Sequence, residues 1–281
     1  ATIEAMLVQP DGKILVGGRF GTFNGISCSR LVRLNTDGSI DAGFSIGSGF
    51  DKNVYAINIQ SDGKIIVGGS FLNYNGVSQK RILRLHINGS LDTTFESGTG
   101  FSNGEVRSIL VQPDNLLLVG GTFSGNYNAS QSLRLIRLLS KGSYDTSFSA
   151  NLNSTLFTMD FTTDEKLMIG GNFNSVSGTA KHRIALLKLC NNSSVWDGTN
   201  WSNGIPSNGK ELTFQDNYTF SASANACSCT IDSGKTVTVL GGRTLGLSFD
   251  YSGAGNLILE DKASLFQSDD EIINTGIIHV K

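Results

Sequence analysis

The chain has 281 residues, enough for two domains or one large β domain with a buried core. Glycine is abundant at 34, proline is scarce at 3, and charged residues make up 16%, a balance that suits many short strands joined by turns and excludes a disordered tail. A formal net charge of −2 without runs of like charge removes the electrostatic case for nucleic acid or an anionic membrane, and no apolar stretch approaches the ~20 residues of a membrane span.

A strand ending in a double glycine recurs along the first two thirds. KILVGG closes at Gly18, KIIVGG at Gly69, LLLVGG at Gly121 and KLMIGG at Gly171, successive steps of 51, 52 and 50 residues. Fixed periods of about 40 to 50 residues mark propellers, solenoids or arrays. Four repeats are expected, over about 3–53, 54–105, 106–154 and 155–190. Each opens with a strand such as Tyr55-Ala56-Ile57-Asn58-Ile59 and passes through a turn, Pro10-Asp11-Gly12-Lys13 or Ser61-Asp62-Gly63-Lys64. Asp-Gly between apolar runs is a strong hairpin signal, because glycine takes the positive φ that the turn needs. The continuous apolar run Ile65-Ile66-Val67 predicts a strand buried on both faces. The glycine pair predicts a bulge or a close backbone approach. A phenylalanine follows each pair, at Phe20, Phe71, Phe123 and Phe173, and a third strand is expected from Arg30, Arg81, Arg134 and Arg183. Three or four short strands per unit is the content of a propeller blade.

Comparison of the repeats with one another singles out a pair. Arg33, Arg84 and Arg137 share one position, and Asp41, Asp92 and Asp145 share another, with Phe44, Phe95 and Phe148 three residues on. Repeat four has Leu186 in place of the arginine and also lacks the aspartate. Joint loss points to an Arg–carboxylate pair within the blade, with bidentate geometry open to it, fastening the outer strand. The functional rival is a ring of arginines gripping an acidic ligand; structural pairing is the reading adopted.

The pattern VQPDGKILVGG.F…R.LVRLN.DGS.D..F resembles the delta-60 repeat family, whose units are taken to form β-propellers. The resemblance is close in repeats one to three and looser in repeat four, where Thr163-Asp164-Glu165-Lys166 replaces the Asp-Gly turn.

At Cys190 the period breaks, so a second domain is expected over 191–281. Both tryptophans fall at its start, Trp196 and Trp201. Such a pair is a candidate platform for stacking sugars; the competing reading, adopted here, is a turn whose indoles cap the open end of the next domain. From about Leu212 short strands follow at nearly even spacing, which predicts a sandwich, a barrel or a parallel β-solenoid. The stretch from Trp196, Trp201, Ser202, Asn203, Gly204 and Pro206 to Ala226–Ile231 resembles a segment found near the C-terminal end of surface and secreted proteins of Bacteroidetes-type bacteria. That resemblance implies export by the type IX secretion system, an extracellular or outer-surface location, and surface roles such as adhesion or gliding motility. It also makes Asp92-Thr93-Thr94 similar to the O-glycosylation pattern of these bacteria, with Thr93 as acceptor.

The four cysteines are Cys28, Cys190, Cys227 and Cys229. Cys227 and Cys229 share a face if they lie in a strand, whose period is two. A disulfide from Cys190 to either one is expected in preference to free thiols or a metal site, since His86, His182 and His279 stand in no ligand spacing. The carboxylates Glu260, Asp261, Asp269, Asp270 and Glu271 are the nearest approach to a catalytic set, for glycoside cleavage or for Ca2+ in a lyase. They fall where turns are expected, and solvated acidic turns are the reading adopted; no cofactor is expected. No Ser-His-Asp arrangement, G-x-S-x-G, HExxH or Walker loop occurs.

Ala1 leads straight into a repeat and the chain stops in a strand, so the sequence is expected to be a segment of a longer polypeptide. The resulting expectation is an all-β, non-catalytic segment of a large secreted or surface-anchored bacterial protein. It would act in adhesion or as a rigid display scaffold, meeting surface glycans or other surface proteins, without membrane insertion. The rivals are an accessory or partly catalytic region of a polysaccharide-active enzyme, and a passive spacer.

Overall fold

A computed structural model describes residues 1–162, 166–190, 192–207, 209–267 and 274–281, and among them all regular structure is β-strand. The chain divides into two compact units, one of Ala1–Asp160 with Met168–Leu186 and one of Phe161–Leu167 with Leu187–Lys281.

The first unit is built of β-propeller blades. Four antiparallel sheets repeat one topology with the second strand in the middle: Ile3–Val8, Ile14–Gly18, Leu31–Leu34; Val54–Ile59, Ile65–Gly69, Ile82–Leu85; Val106–Val111, Leu117–Gly121, Leu135–Leu138; and Leu156–Phe161, Leu167–Gly171, Ile184–Leu187. Single bridges Leu34–Ile40, Leu85–Leu91 and Leu138–Tyr144 add the rudiment of a fourth strand to the first three. In the first hairpin Gly12 N donates to Gln9 O and Gln9 N donates to Lys13 O, with Gly12 at φ 81°. Asn115 takes the same left-handed position in the third blade at φ 65°, as short polar side chains can. Of the repeat-four turn Thr163-Asp164-Glu165-Lys166, the first three residues lie outside the described residues.

The two glycines of each pair have separate tasks. A Cβ on Gly18, Gly69, Gly121 or Gly171 would lie 1.9–2.2 Å from the carbonyl oxygen at the start of the same blade, that of Thr2, Asn53, Glu105 or Thr155. Beside that approach the first strand bulges, at Ile3/Ala5, Val54/Ala56 and Val106/Ser108. The preceding glycine faces the next blade. A Cβ on Gly17 would meet Val54 at 2.6 Å, one on Gly68 would meet Val106 at 2.4 Å, and one on Gly120 would meet Leu156 at 2.4 Å. The two larger apolar cores accordingly lie between blades, and a smaller one of Val16, Phe20, Cys28, Val32 and Leu34 lies within the first. Leu15 and Leu31 of the first blade pack with Val54, Ile57, Ile65 and Val67 of the second, and Ile66 and Ile82 of the second pack with Val106, Ile109 and Val119 of the third.

The third strands begin one residue later than the sequence predicts. Arg30, Arg81, Arg134 and Arg183 precede them at φ of 63° to 73°, a conformation that breaks strand geometry and turns the chain into the sheet. The side chain explains why glycine does not stand there in the second blade: Arg81 donates from Nε to Gly104 O and from Nη1 to Phe101 O, tying down the passage to the third blade.

The second unit is a parallel β-solenoid, which decides among the three architectures open to the sequence. One sheet stacks Asn192–Trp196, Lys210–Phe214, Ser228–Ile231 and Tyr251–Ser252; a second stacks Tyr218–Phe220, Thr236–Val239, Asn256–Leu259 and Ile277–Val280; a third stacks Ala224–Ala226, Thr244–Leu247 and Ser264–Gln267. Among the described residues the pairings within these sheets are parallel, and apolar side chains stack: Phe214 on Ile231, Val237 on Leu257, Val239 on Leu259. Hydroxyls pair outside the core, Thr230 with Ser252 and Thr244 with Ser264, each at 2.9 Å. Two strands escape the sequence reading, Asn192–Trp196 and Ala224–Ala226; the second is only three residues long and alanine carries no strand preference. The apolar run LGLSFDY divides between two sheets, because a corner intervenes after Leu247.

Gly68→Val is expected to destabilise the first unit by about 1–3 kcal/mol, the cost of overpacking a core. Gly170→Val should cost clearly less, since a Cβ there meets only Thr158 at 3.1 Å. Denaturant unfolding of the two variants checks the difference.

Candidate functional site

The charged positions singled out by the repeats form three buried assemblies of one design. Arg33, Arg84 and Arg137 donate from Nε to Oδ2 of Asp41, Asp92 and Asp145 at 2.8, 2.8 and 2.6 Å, and all six residues are buried. Each guanidinium also lies over a phenylalanine ring, Phe44, Phe95 or Phe148, at 4.6, 5.0 and 5.1 Å from its centre. The second aspartate oxygen receives the amide two residues on, that of Gly43, Thr94 or Ser147.

The expected bidentate fork gives way to a branching one for Arg33 and Arg84. Their Nη1 atoms reach carbonyls of the following blade, Ile87 O at 2.5 Å and Ser140 O at 2.8 Å. The assemblies therefore fasten blade to blade as well as strand to strand, a role invisible within a single repeat. Lys13 and Lys64 add a second cation to Asp41 and Asp92 at 2.9 and 3.3 Å.

Hydrogen bonding decides the charge state of these carboxyls. The Lys13 ammonium, the Gly43 amide and Arg33 hold Asp41 down at about 2. Burial by itself would raise Asp92, but the Thr94 hydroxyl and amide, Lys64 and Arg84 outweigh it and keep the carboxyl well below the usual range. Burial is likewise outweighed at Asp145, by Ser147 and Arg137. Thr93 sits exposed on the turn beside Asp92.

In the second unit Cys190 is bonded to Cys227, with Cα atoms 5.6 Å apart and a sequence separation of 37. Cys229 is a free thiol inside the solenoid core, stacked between Leu212 and Tyr251, and burial raises its pKa. Cys28 is free and buried in the first unit. Trp196 and Trp201 bridge a tight hairpin, Trp196 Nε1 donates to Asn217 O at 2.9 Å, and both half-buried indoles pack on the solenoid core. Their rings meet at 47°, and Trp201 stands edge-on to Phe214 and Tyr218, so they form a folded aromatic cluster and not one flat platform.

Next to this cluster runs a groove of about 610 Å³ whose walls include Ile205, Pro206, Tyr218, Phe220, Ser221 and Ser223. Sequence reasoning missed it, because its walls come from two stretches that are apart in the chain, 205–207 and 218–225. The carboxylates Glu260 and Asp261 lie in a turn between Asn256–Leu259 and Ser264–Gln267, while Asp269, Asp270 and Glu271 lie outside the described residues. Among the described residues no three His, Cys, Asp or Glu side chains gather in a metal-binding group.

Asp92→Asn is expected to cost about 3–5 kcal/mol, as breaking a buried ion pair leaves the Arg84 charge without its partner. A carboxylate with a folded pKa below its unfolded value of about 3.9 stabilises the fold above that pH. The contribution of Asp41 should therefore fade as the pH falls from about 4 through about 2. Acid unfolding of the wild type against Asp41→Asn, whose curve should lose that part of its slope, checks the sign. In a non-reducing digest the peptides of Cys190 and Cys227 should stay linked, and losing the link should cost the second unit about 4 kcal/mol on the chain-entropy model.

Comparison with known proteins agrees with the blade architecture. Residues 9–44, 60–95 and 112–148 match the family model described as a domain of unknown function (DUF5122) beta-propeller. No curated protein matches. Among solved structures, a protein of unknown function from Bacteroides caccae is 14% identical over 65% of this chain and 60% of its own, with a TM-score of 0.39. An extracellular domain from B. thetaiotaomicron is 13% identical over 66% of this chain and 21% of its own, with a TM-score of 0.38. Virginiamycin B lyase from Staphylococcus aureus is 14% identical over 66% of this chain and 70% of its own, with a TM-score of 0.36. This chain thus spans less than two thirds of the first two structures, and what the three matched segments and the four sheets share is the β-propeller blade.

Proposed function

We propose that this chain is a non-catalytic segment of a larger secreted or surface-anchored bacterial protein, acting as a rigid display scaffold that adheres through glycans. The observation that carries the reading is the groove beside the aromatic cluster of the solenoid. A lining that combines Tyr218, Ile205 and Pro206 with the hydroxyls of Ser221 and Ser223 suits the amphipathic faces of a sugar ring, which takes both apolar contact and hydrogen bonds. The Cys190–Cys227 cross-link supports an oxidising, extracytoplasmic setting. Export through the type IX pathway and modification of Thr93 belong to the same reading and rest on the resemblance of residues 196–231 and 92–94 to surface proteins of Bacteroidetes-type bacteria.

The test is binding of the intact chain to a panel of bacterial and host polysaccharides, by calorimetry. At least one glycan should bind, and Ala222→Trp, which fills the groove from an exposed wall position, should weaken it at least tenfold with the unfolding midpoint unchanged. Absence of binding across the panel, or a Trp variant that binds as well as wild type, would sink the glycan reading.

A further inference from the structure

The two ends of the blade sheets differ in charge. The start of the first strand, the end of the second and the start of the third meet at one end of each sheet, as the pairings Ile3–Gly18, Gly17–Leu31, Val54–Gly69 and Ile82–Gly68 place them. Arg19, Arg30, Arg81, Arg107, Arg134 and Arg183 stand at that end, with Lys52, Lys80 and Lys181 beside them. The carboxylates there are Glu4, Asp51 and Glu105. The turns at the opposite end carry Asp11, Asp37, Asp62 and Asp114 instead. A chain charge of only −2 conceals this separation.

Three blades contribute to the best-ordered part of the arginine end. Tyr55 of the second blade meets a guanidinium from each neighbour, Arg19 of the first at 5.4 Å and Arg107 of the third at 4.1 Å from the ring centre. The ring is buried, and Asn53 Nδ2 donates to its hydroxyl at 2.9 Å, so it is a fixed support for both cations. Arg19 gives Nε to Glu4 at 2.7 Å, and its side chain is 48% exposed. Arg107 pairs with Glu105 through Nη2, while its Nε is buried without a hydrogen-bond partner. No demand of the blade selects these two arginines. The place of Arg107 is held by Glu4, Tyr55 and Phe157 in the other blades, and that of Arg19 by Ser70, Thr122 and Asn172. They differ in this from Arg33, Arg84 and Arg137, which recur and are buried against aspartates. Arg30, Arg81, Arg134 and Arg183 add charge at a left-handed φ that glycine would take without strain, and the fourth repeat keeps its arginine there although it has lost the Arg–Asp–Phe association.

A guanidinium matches a carboxylate in planar, paired hydrogen bonds. Two guanidiniums already held on one ring lose little freedom when they bind. The interleaved Glu4, Asp51 and Glu105 keep the charge density low. That suits a polymer with one carboxylate per sugar better than duplex nucleic acid, which carries a charge every ~1.7 Å. We propose that this end of the first unit binds the carboxylates of a uronic-acid polysaccharide, with Arg19 and Arg107 as the primary contacts. The site takes from the proposed function only that the partner is a glycan, and it shares no residue with the groove of the second unit.

The test is calorimetry of the intact chain with polygalacturonate and with its methyl ester, in which the same backbone has lost its charge. Polygalacturonate should bind, more weakly as salt is raised, and the ester should not. Arg19→Glu and Arg107→Gln should each weaken binding at least tenfold with the unfolding midpoint unchanged; Arg19→Glu, at an exposed position, decides alone if Arg107→Gln lowers the midpoint. Lys141→Glu changes the net charge as much as Arg19→Glu does, but in an exposed turn at the opposite end, and should bind as wild type. Ala222→Trp, which fills the groove, should also bind as wild type, so that failure of the groove reading leaves this one standing. Polygalacturonate that does not bind, an ester that binds as tightly as the acid, or equal losses from Lys141→Glu and Arg19→Glu overturns the proposal. A loss on Ala222→Trp overturns it by placing the polymer in the groove, and duplex DNA that outcompetes polygalacturonate overturns it in favour of nucleic acid.

Discussion

The spacing between neighbouring sheets in the first unit rests on a missing atom. At Gly17, Gly68 and Gly120 the central strand comes so close to the next blade that a single Cβ would lie 2.4–2.6 Å from a valine or leucine carbon. The interiors of proteins are packed to the density of organic crystals, so such an approach has no slack to absorb a methyl group. Around this contact two large cores are shared between blades, while Val16, Phe20, Cys28, Val32 and Leu34 form a smaller one inside the first blade. Stability in such an array is a sum of neighbour contacts.

A second constraint works further out. Burying an arginine is expensive unless its donors are all occupied. In the first two blades the guanidinium distributes them: Nε goes to the aspartate, Nη1 to a carbonyl of the following blade, and the flat face to a phenylalanine. Because those tasks depend on one another, losing the arginine at Leu186 removes the reason for the aspartate and the phenylalanine, and the fourth repeat lacks all three. The reading of arginines gripping an outside ligand fits poorly at Arg84, where Asp92, Gln60, Ser140 and Thr94 take four of the five N–H donors.

The solenoid solves the burial problem differently. Its strands gain neighbours above and below through parallel ladders, and its core is a stack of side chains from successive coils. The first coil is covered by the Trp196–Trp201 hairpin, and the Cys190–Cys227 bond ties the segment entering it to the start of a strand two rungs on. A framework of this kind holds its strands still, and the groove is lined in part by residues of Tyr218–Phe220 and Ala224–Ala226. Binding in that groove would cost little ordering, which is the physical advantage of placing a site on a rigid repeat.

The chain itself carries its period, its strand-and-turn content, its division near Cys190 and the Arg–Asp–Phe association, because four imperfect copies of one pattern expose which residues vary together. Asp-Gly turns and double glycines are local signals, governed by backbone conformation, and local signals survive in sequence. What only the tertiary structure decided are relations between segments far apart in the chain. Arg33 reaching Ile87, Gly68 facing Val106, the choice of Cys227 over Cys229 and the positive φ of Arg30, Arg81, Arg134 and Arg183 all depend on where a neighbour sits. The solenoid was harder to read than the blades for the same reason: short alternating strands fit a sandwich, a barrel or a coil equally well, and the stacking that selects one is a property of packing and not of any stretch of residues.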